Sequence, residues 1–168
     1  LGREAPDCDD PQVLARFFAA ISELRAAGLI VAYHDRSDGG LFVTLAEMAF
    51  AGHCGIDIDL GTEVHDATAA MFSEELGAVL QIRAGDAKTV RDILNRHGLL
   101  ELSRVIGTVN DADRVRIRAG SQALLDESRT ELHRAWFETS FRMTQLRDNP
   151  ACAQEQFATV TDPADRGL

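Results

Sequence analysis

From Leu29 to Gly52 the chain reads LIVAYHDRSDGGLFVTLAEMAFAG: a short apolar run, a polar glycine-rich turn, then an apolar pattern with helical spacing. That order commits the region to a strand, a turn and a helix. The turn, His34-Asp35-Arg36-Ser37-Asp38-Gly39-Gly40, sets carboxylates, a hydroxyl and two glycines where the helix begins. The unpaired N–H groups and positive dipole end of a helix favour an anion there. Asp35 and Asp38 suit a hard cation such as Mg²⁺. Ser37 can donate to a phosphate oxygen, and Gly39 and Gly40 let a backbone or ligand come close. Plain capping by Ser37 or Asp38, with the glycines serving the turn, accounts for the same residues.

A length of 168 residues suits one domain with a real core. Lys and Arg number 17 against 27 Asp and Glu, a net charge of −10. An acidic chain without a basic stripe is a poor partner for nucleic acid or an anionic membrane. No apolar run approaches the roughly 20 residues that span a bilayer, and no signal peptide is visible. Cys8, Cys54 and Cys152 form no CxxC pair, which argues against structural zinc or a disulfide framework and for a reducing, cytoplasmic setting. The first residue is Leu, so the expectation is a piece of a longer polypeptide.

Asp9-Asp10-Pro11 reads as a helix start, with an acidic cap before proline, and the helix runs to Gly28. The strand after it is expected at about 29–33, covered on both faces because it is apolar throughout. A helix follows at about 40–51, a strand with one wet face at 56–60, a helix at 66–76 and a strand at 78–82. Asp86 is expected to cap a helix over 87–97. Strands are expected at 103–109, 115–118 and 123–125, the last two as a hairpin. A final helix at 132–147 should turn Trp136, Phe137, Phe141, Met143 and Leu146 inward, and Asp148-Asn149-Pro150 should break it. Residues 151–168 read as a polar linker. The order of elements implies an α/β domain of α+β type, a mixed β-sheet flanked by helices, over residues 1–150.

Four segments, in order, resemble phosphoribosylformylglycinamidine synthase, an ATP-dependent amidotransferase of purine biosynthesis, in its large single-chain form. They are His34–Gly40 with its helix, Phe72-Ser73-Glu74-Glu75-Leu76-Gly77, Glu127-Ser128-Arg129-Thr130, and Trp136 through Leu146-Arg147-Asp148-Asn149-Pro150. The first segment alone marks only the wider AIR synthase-related superfamily, with selenophosphate synthetase, thiamine-monophosphate kinase and a hydrogenase maturation protein. The last is more specific. The resemblance implies an AIR synthase C-terminal domain, the second of two in a tandem duplication, followed by a linker and a glutaminase domain. It implies conversion of formylglycinamide ribonucleotide, glutamine and ATP into formylglycinamidine ribonucleotide, glutamate, ADP and phosphate. Its partners would be the remaining domains of the same polypeptide, without which the fragment is expected to be inactive.

Residue by residue, the resemblance makes Asp35 a magnesium ligand, Ser37 a contact of the nucleotide phosphate, and Gly39 and Gly40 the glycines at the helix start. The implied cofactors are Mg²⁺ and ATP or ADP, in a site that holds its nucleotide structurally; no catalytic residue is assigned to this domain. A non-catalytic module stapled by a nucleotide, or another member of the superfamily, are the rival readings. Other polar residues read more plainly. Adjacent carboxylates on a helix point apart, so Glu74 and Glu75 are expected at a solvated helix end. Cys54 is expected as a small buried residue at a strand start. Arg129 can clamp a phosphate or pair with a surface acid, and Arg36 can face a nucleotide or a neighbouring domain.

Overall fold

The structure, a computed structural model, describes residues 7–8, 10–160 and 162. The chain is mixed α/β, with a mixed sheet flanked by helices. It divides into two compact units: one takes the chain up to Thr44 together with Thr68–Val105, the other takes Leu45–Ala67 and the chain from Ile106 onward. Among the described residues no helix is long and apolar enough to cross a membrane.

In the first unit α1 spans Pro11–Ala26. Asp10 caps it by accepting from the Gln12 N–H at 2.8 Å, and proline occupies the first turn. Asp9 lies outside the described residues. Gly28, at φ 67°, ends the helix in the left-handed conformation that glycine adopts without strain. The strand β1 is Ala32–Asp35, three residues later than expected, and it pairs antiparallel with β3, Ala78–Gln81. Leu29 and Ile30 do not enter the strand because they pack on the cluster of Leu24, Val90 and Ile93, where burial outweighs their β propensity. The strand is not covered on both faces either: its residues alternate between half-buried and exposed in a two-stranded sheet.

The same cluster receives α4, Ala87–Arg96, whose Val90 and Ile93 are buried. Asp86 makes no capping hydrogen bond; its carboxylate faces Arg83 at 3.7 Å. Glu23 on α1 joins the two helices by accepting from His97 Nε2 at 2.8 Å and from Arg96. The helix α3 is shorter than expected, Ala67–Phe72, so Ser73–Gly77 is not helical. The helix α2, Gly40–Gly52, begins in this unit and ends in the other. It buries Leu41, Leu45, Ala46, Ala49 and Phe50.

The second unit holds a four-stranded sheet in the order β4-β2-β5-β6, from Gly107–Asn110, Gly55–Asp59, Arg114–Ala119 and Gln122–Ser128. The strand β2 runs antiparallel to β4 and parallel to β5, and β5 and β6 form the expected hairpin. Ile56, Ile58, Val115 and Ile117 are buried. The alternate positions carry charge: Asp57 faces Arg116 at 3.3 Å, Asp59 faces Arg118 at 2.7 Å, and Asp126 faces Arg114 at 2.5 Å. These pairs are exposed, and each contributes little.

The helix α5 is Arg129–Arg147. Its apolar residues do not all turn inward: Phe141 is buried, whereas Trp136 is 51% exposed, Met143 64% and Leu146 90%. Residues 136, 143 and 146 project from a different side of the cylinder than 137 and 141. The break expected at Pro150 and the linker after it are also corrected. Pro150 opens a further helix, α6, Pro150–Val160. Asn149 caps it by accepting from the Ala151 N–H at 2.9 Å, and Phe157 stacks on Phe141 with ring centroids 4.2 Å apart. Residues 161 and 163–168 lie outside the described residues.

Arg129 has only 2% of its side chain exposed. Its Nε donates to Asp113 Oδ1 at 2.5 Å, and its backbone N–H donates to the Asp113 carbonyl at 3.0 Å. It is neither a surface pair nor a phosphate clamp, but the charged anchor of the α5 start. Removing one member of a buried ion pair strands the other. Asp113→Ala is therefore expected to lose about 3 kcal/mol in urea unfolding, and a second change, Arg129→Met, to recover part of it. The hydrogen bond from His97, and then that from Arg96, hold the Glu23 carboxyl below its ordinary 4.5. A depressed carboxyl contributes stability above its unfolded value and loses it as pH falls through the folded one. Glu23→Gln should lower the melting temperature at neutral pH and flatten the fall in stability below about pH 4.5.

Candidate nucleotide-binding turn

The turn from His34 to Gly40 is held by the elements on either side of it. The β1–β3 ladder ends on Asp35 opposite Ala78, which fixes where the strand stops. One residue on, the Arg36 N–H donates to the Gly77 carbonyl at 2.8 Å. The Gly40 N–H then closes onto the Ser37 carbonyl at 2.9 Å, and α2 starts. Gly39 and Gly40 have φ of 83° and 68°, a region L side chains rarely adopt. Space forbids a side chain as well: a Cβ on Gly39 would lie 2.3 Å from Val43 Cγ2, and one on Gly40 would lie 2.7 Å from the Met71 carbonyl oxygen.

The two capping candidates do not cap. Ser37 and Asp38 are exposed, and neither side chain engages another described residue. The N–H of Gly39 goes instead to Glu74 Oε1, at 3.0 Å. Glu74 is exposed just past the end of α3, as expected, yet it is also recruited to the turn across 35 positions of sequence. Nothing in a single sequence marks that pairing, because Glu74 and Gly39 belong to different local motifs. Thr44 is a further part of the turn that the sequence motif does not mark. Its buried hydroxyl lies 3.0 Å from the Gly40 carbonyl, to which it donates, and 3.4 Å from the Asp35 carbonyl. Back-bonding of a helical threonine to the fourth preceding carbonyl is the signal that could have found it.

Asp35 presents its carboxylate at the strand end with 70% of the side chain exposed. The neighbouring His34 donates Nδ1–H to the Asp35 carbonyl at 2.6 Å, since a carbonyl can only accept. Nδ1 lies 4.0 Å from Asp35 Oδ1. Burial, and then the Asp35 charge, push the Tyr33 hydroxyl up. Arg36 lays its guanidinium over Gly77, 3.8 Å from where a Cβ would stand, and its Nε is buried without a partner among the described residues. Burial pulls that guanidinium down, Glu75 raises it and Arg104 lowers it.

These residues fit a magnesium–phosphate group as a partial set. Mg²⁺ commonly takes one or two protein carboxylates and fills its octahedron with phosphate oxygens and water. Asp35 offers one accessible carboxylate and Ser37 one uncommitted hydroxyl, while Gly39 and Gly40 serve the turn's own close packing on Val43 and the end of α3. Among the described residues no group of three or more His, Cys, Asp or Glu converges to hold a metal alone. Cys54, half-buried just before β2, has its thiol raised by burial first and is no activated nucleophile.

Residues 3–120 match the family described as AIR synthase related protein, C-terminal domain. The matched region contains the turn and the 72–77 segment, whereas Glu127–Thr130 and Trp136–Pro150 lie beyond it. Among solved structures, phosphoribosylformylglycinamidine synthase II from Thermotoga maritima superposes with a TM-score of 0.65 at 18% identity, covering 75% of this chain and 22% of that one. T. maritima PurL complexed with ATP gives 0.64 at 19%, covering 75% and 22%. The same protein complexed with ADP gives 0.65 at 19%, covering 74% and 22%. The likeness shows a shared fold, and the chain spans only 22% of the length of these proteins. With its family match covering most of the chain, this protein belongs to the AIR synthase related family, of which it carries the C-terminal domain.

Proposed function

We propose that this chain is the second AIR synthase-related C-terminal domain of a large single-chain phosphoribosylformylglycinamidine synthase, with α6 part of the domain. The enzyme around it would be a cytoplasmic glutamine amidotransferase of purine biosynthesis, forming a C–N bond at the expense of ATP. The remaining domains of the same polypeptide, a glutaminase among them, would be its partners. The family match and the fold shared with a T. maritima synthase support this reading. So do the Glu127–Thr130 and Trp136–Pro150 segments, which resemble the large form.

Within that enzyme the turn would contribute half of a magnesium–nucleotide site. The observation that carries this is Asp35, exposed at a strand end, with the free Ser37 hydroxyl two residues on in a turn fixed by two left-handed glycines. Asp35 would ligate Mg²⁺ and Ser37 would meet a phosphate, while Gly39 and Gly40, whose N–H groups already donate to Glu74 and to the Ser37 carbonyl, would set the turn that presents them. Bound magnesium neutralises phosphate charge. The chain's own groups would hold and orient, and the resemblance to the large single-chain form implies a nucleotide kept in place as a structural element. One carboxylate and one hydroxyl make half a site, and the isolated chain is expected to bind nucleotide weakly or not at all.

The test uses the full-length synthase. Purified wild type should retain nucleotide, with Mg²⁺, that exchanges far more slowly than turnover; exchange at the catalytic rate would overturn a structural role. Asp35→Ala should lower the Mg²⁺ and nucleotide content of the purified enzyme at least tenfold, read by metal analysis and chromatography of the extracted nucleotide. Unchanged content would remove Asp35 from the site. Gly40→Ala, which drives a Cβ against the Met71 carbonyl, should empty the site and also lower stability.

A further inference from the structure

We infer that Glu74 is a positioning residue of this turn, acting on nucleotide binding through the Gly39 amide; the inference rests on reading His34–Gly40 as a nucleotide-holding turn. Gly39 stands just before the first residue of α2, where backbone N–H groups lack partners within the helix. The usual remedy is a capping side chain from the turn itself, but Ser37 and Asp38 point into solvent. The donor is satisfied by a remote carboxylate instead, Glu74 Oε1 at 3.0 Å. A hydrogen bond to an ionised acceptor is stronger than one between neutral groups.

The partner segment explains why this acts on the turn and not on the fold. Both ends of the turn are pinned to the stretch Glu74–Gly77: the Arg36 N–H to the Gly77 carbonyl, and the Gly39 N–H to Glu74. Ser37 lies between the pins, and Asp35 lies just before the first. The first pin continues the β1–β3 ladder and survives any change at position 74. The second depends on one side chain. Without it the ladder, the Gly40 turn and the packing of Gly40 on α3 remain, while the peptide between Ser37 and Gly39 gains freedom. Ser37 then no longer holds a set distance from Asp35, and binding weakens without loss of the fold. The carboxylate is committed to an amide, so an uncharged acceptor of the same reach should replace it.

The experiment compares full-length wild type, Glu74→Ala, Glu74→Gln and Glu74→Asp, each stripped of nucleotide. It measures ADP binding with Mg²⁺ by calorimetry, and hydrogen exchange of the peptide holding Gly39. Glu74→Ala should speed Gly39 exchange and weaken ADP binding, each about tenfold, with the melting temperature within about 2 °C of wild type. Glu74→Gln should stay within about threefold of wild type in both. Glu74→Asp, one methylene short of the amide, should approach Glu74→Ala and replaces it if the alanine variant misfolds. Unchanged exchange in Glu74→Ala overturns the inference, whatever the nucleotide does. Faster exchange with unchanged ADP binding also overturns it and leaves Glu74 a local brace. Glu74→Gln as weak as Glu74→Ala overturns it in favour of a role for the charge itself. Wild type that binds no ADP overturns the nucleotide reading, and with it any part for Glu74 in binding.

Discussion

The backbone of Gly40 runs against the carbonyl end of α3 so closely that a single added carbon would sit 2.7 Å from the Met71 oxygen. Much of the first unit's functional geometry follows from that contact. α3 stops at Phe72, whose ring meets Phe42 of α2 at 5.5 Å, and the chain from Ser73 to Gly77 leaves the helix as an open segment. That segment can reach back to the turn, with Gly77 accepting from Arg36 and Glu74 from Gly39. A continuous helix through Gly77 would carry Glu74 away on its own cylinder and leave the Gly39 amide unsatisfied. The two motifs, 34–40 and 72–77, are therefore one structural object.

Charge serves the molecule in two regimes. On the open face of the four-stranded sheet, arginines at alternate positions of β5 meet aspartates on β2 and β6. Those pairs stay in water, where Coulomb attraction is screened and side-chain ordering opposes it. Arg129 is the opposite case. Its guanidinium is withdrawn from solvent and its Nη1 has no partner among the described residues, so the Asp113 contact is what makes its burial tolerable. Asp113 itself sits at φ 52°, a conformation aspartate accepts more readily than most residues. Two residues with unfavourable placements thus sustain each other at the join between β6 and α5.

The places where sequence reading failed share a cause. Asp10-Pro11 and Asn149-Pro150 are the same signal, a capping side chain before a proline in the first helical turn. The first reads as a helix start because an apolar period follows at once. The second reads as a break because no run of large apolar residues at helical spacing follows it. What makes α6 a helix is Phe157, whose partners Phe137 and Phe141 lie on another element. The start of β1 differs from its sequence signal for a related reason: Leu29 and Ile30 look like strand residues, yet their burial belongs to the α1–α4 cluster. Glu74 is solvated as its sequence suggests, but its bond to Gly39 is invisible there because the partner is a backbone amide in a distant segment.

The sequence by itself determined the order of strands and helices as far as α5, the mixed α/β class, the start of α1, and the turn with Asp35, Ser37, Gly39 and Gly40 at a strand-to-helix junction. Those follow from periodicity, capping chemistry and glycine's freedom at positive φ, all local properties. Only the tertiary structure decided where α3 ends, that α6 exists, that Arg129 is buried, and that Glu74 rather than Ser37 or Asp38 satisfies the Gly39 amide. Each depends on which surface a segment meets, and burial by a remote element outweighs the tenths of a kcal/mol that separate local conformations.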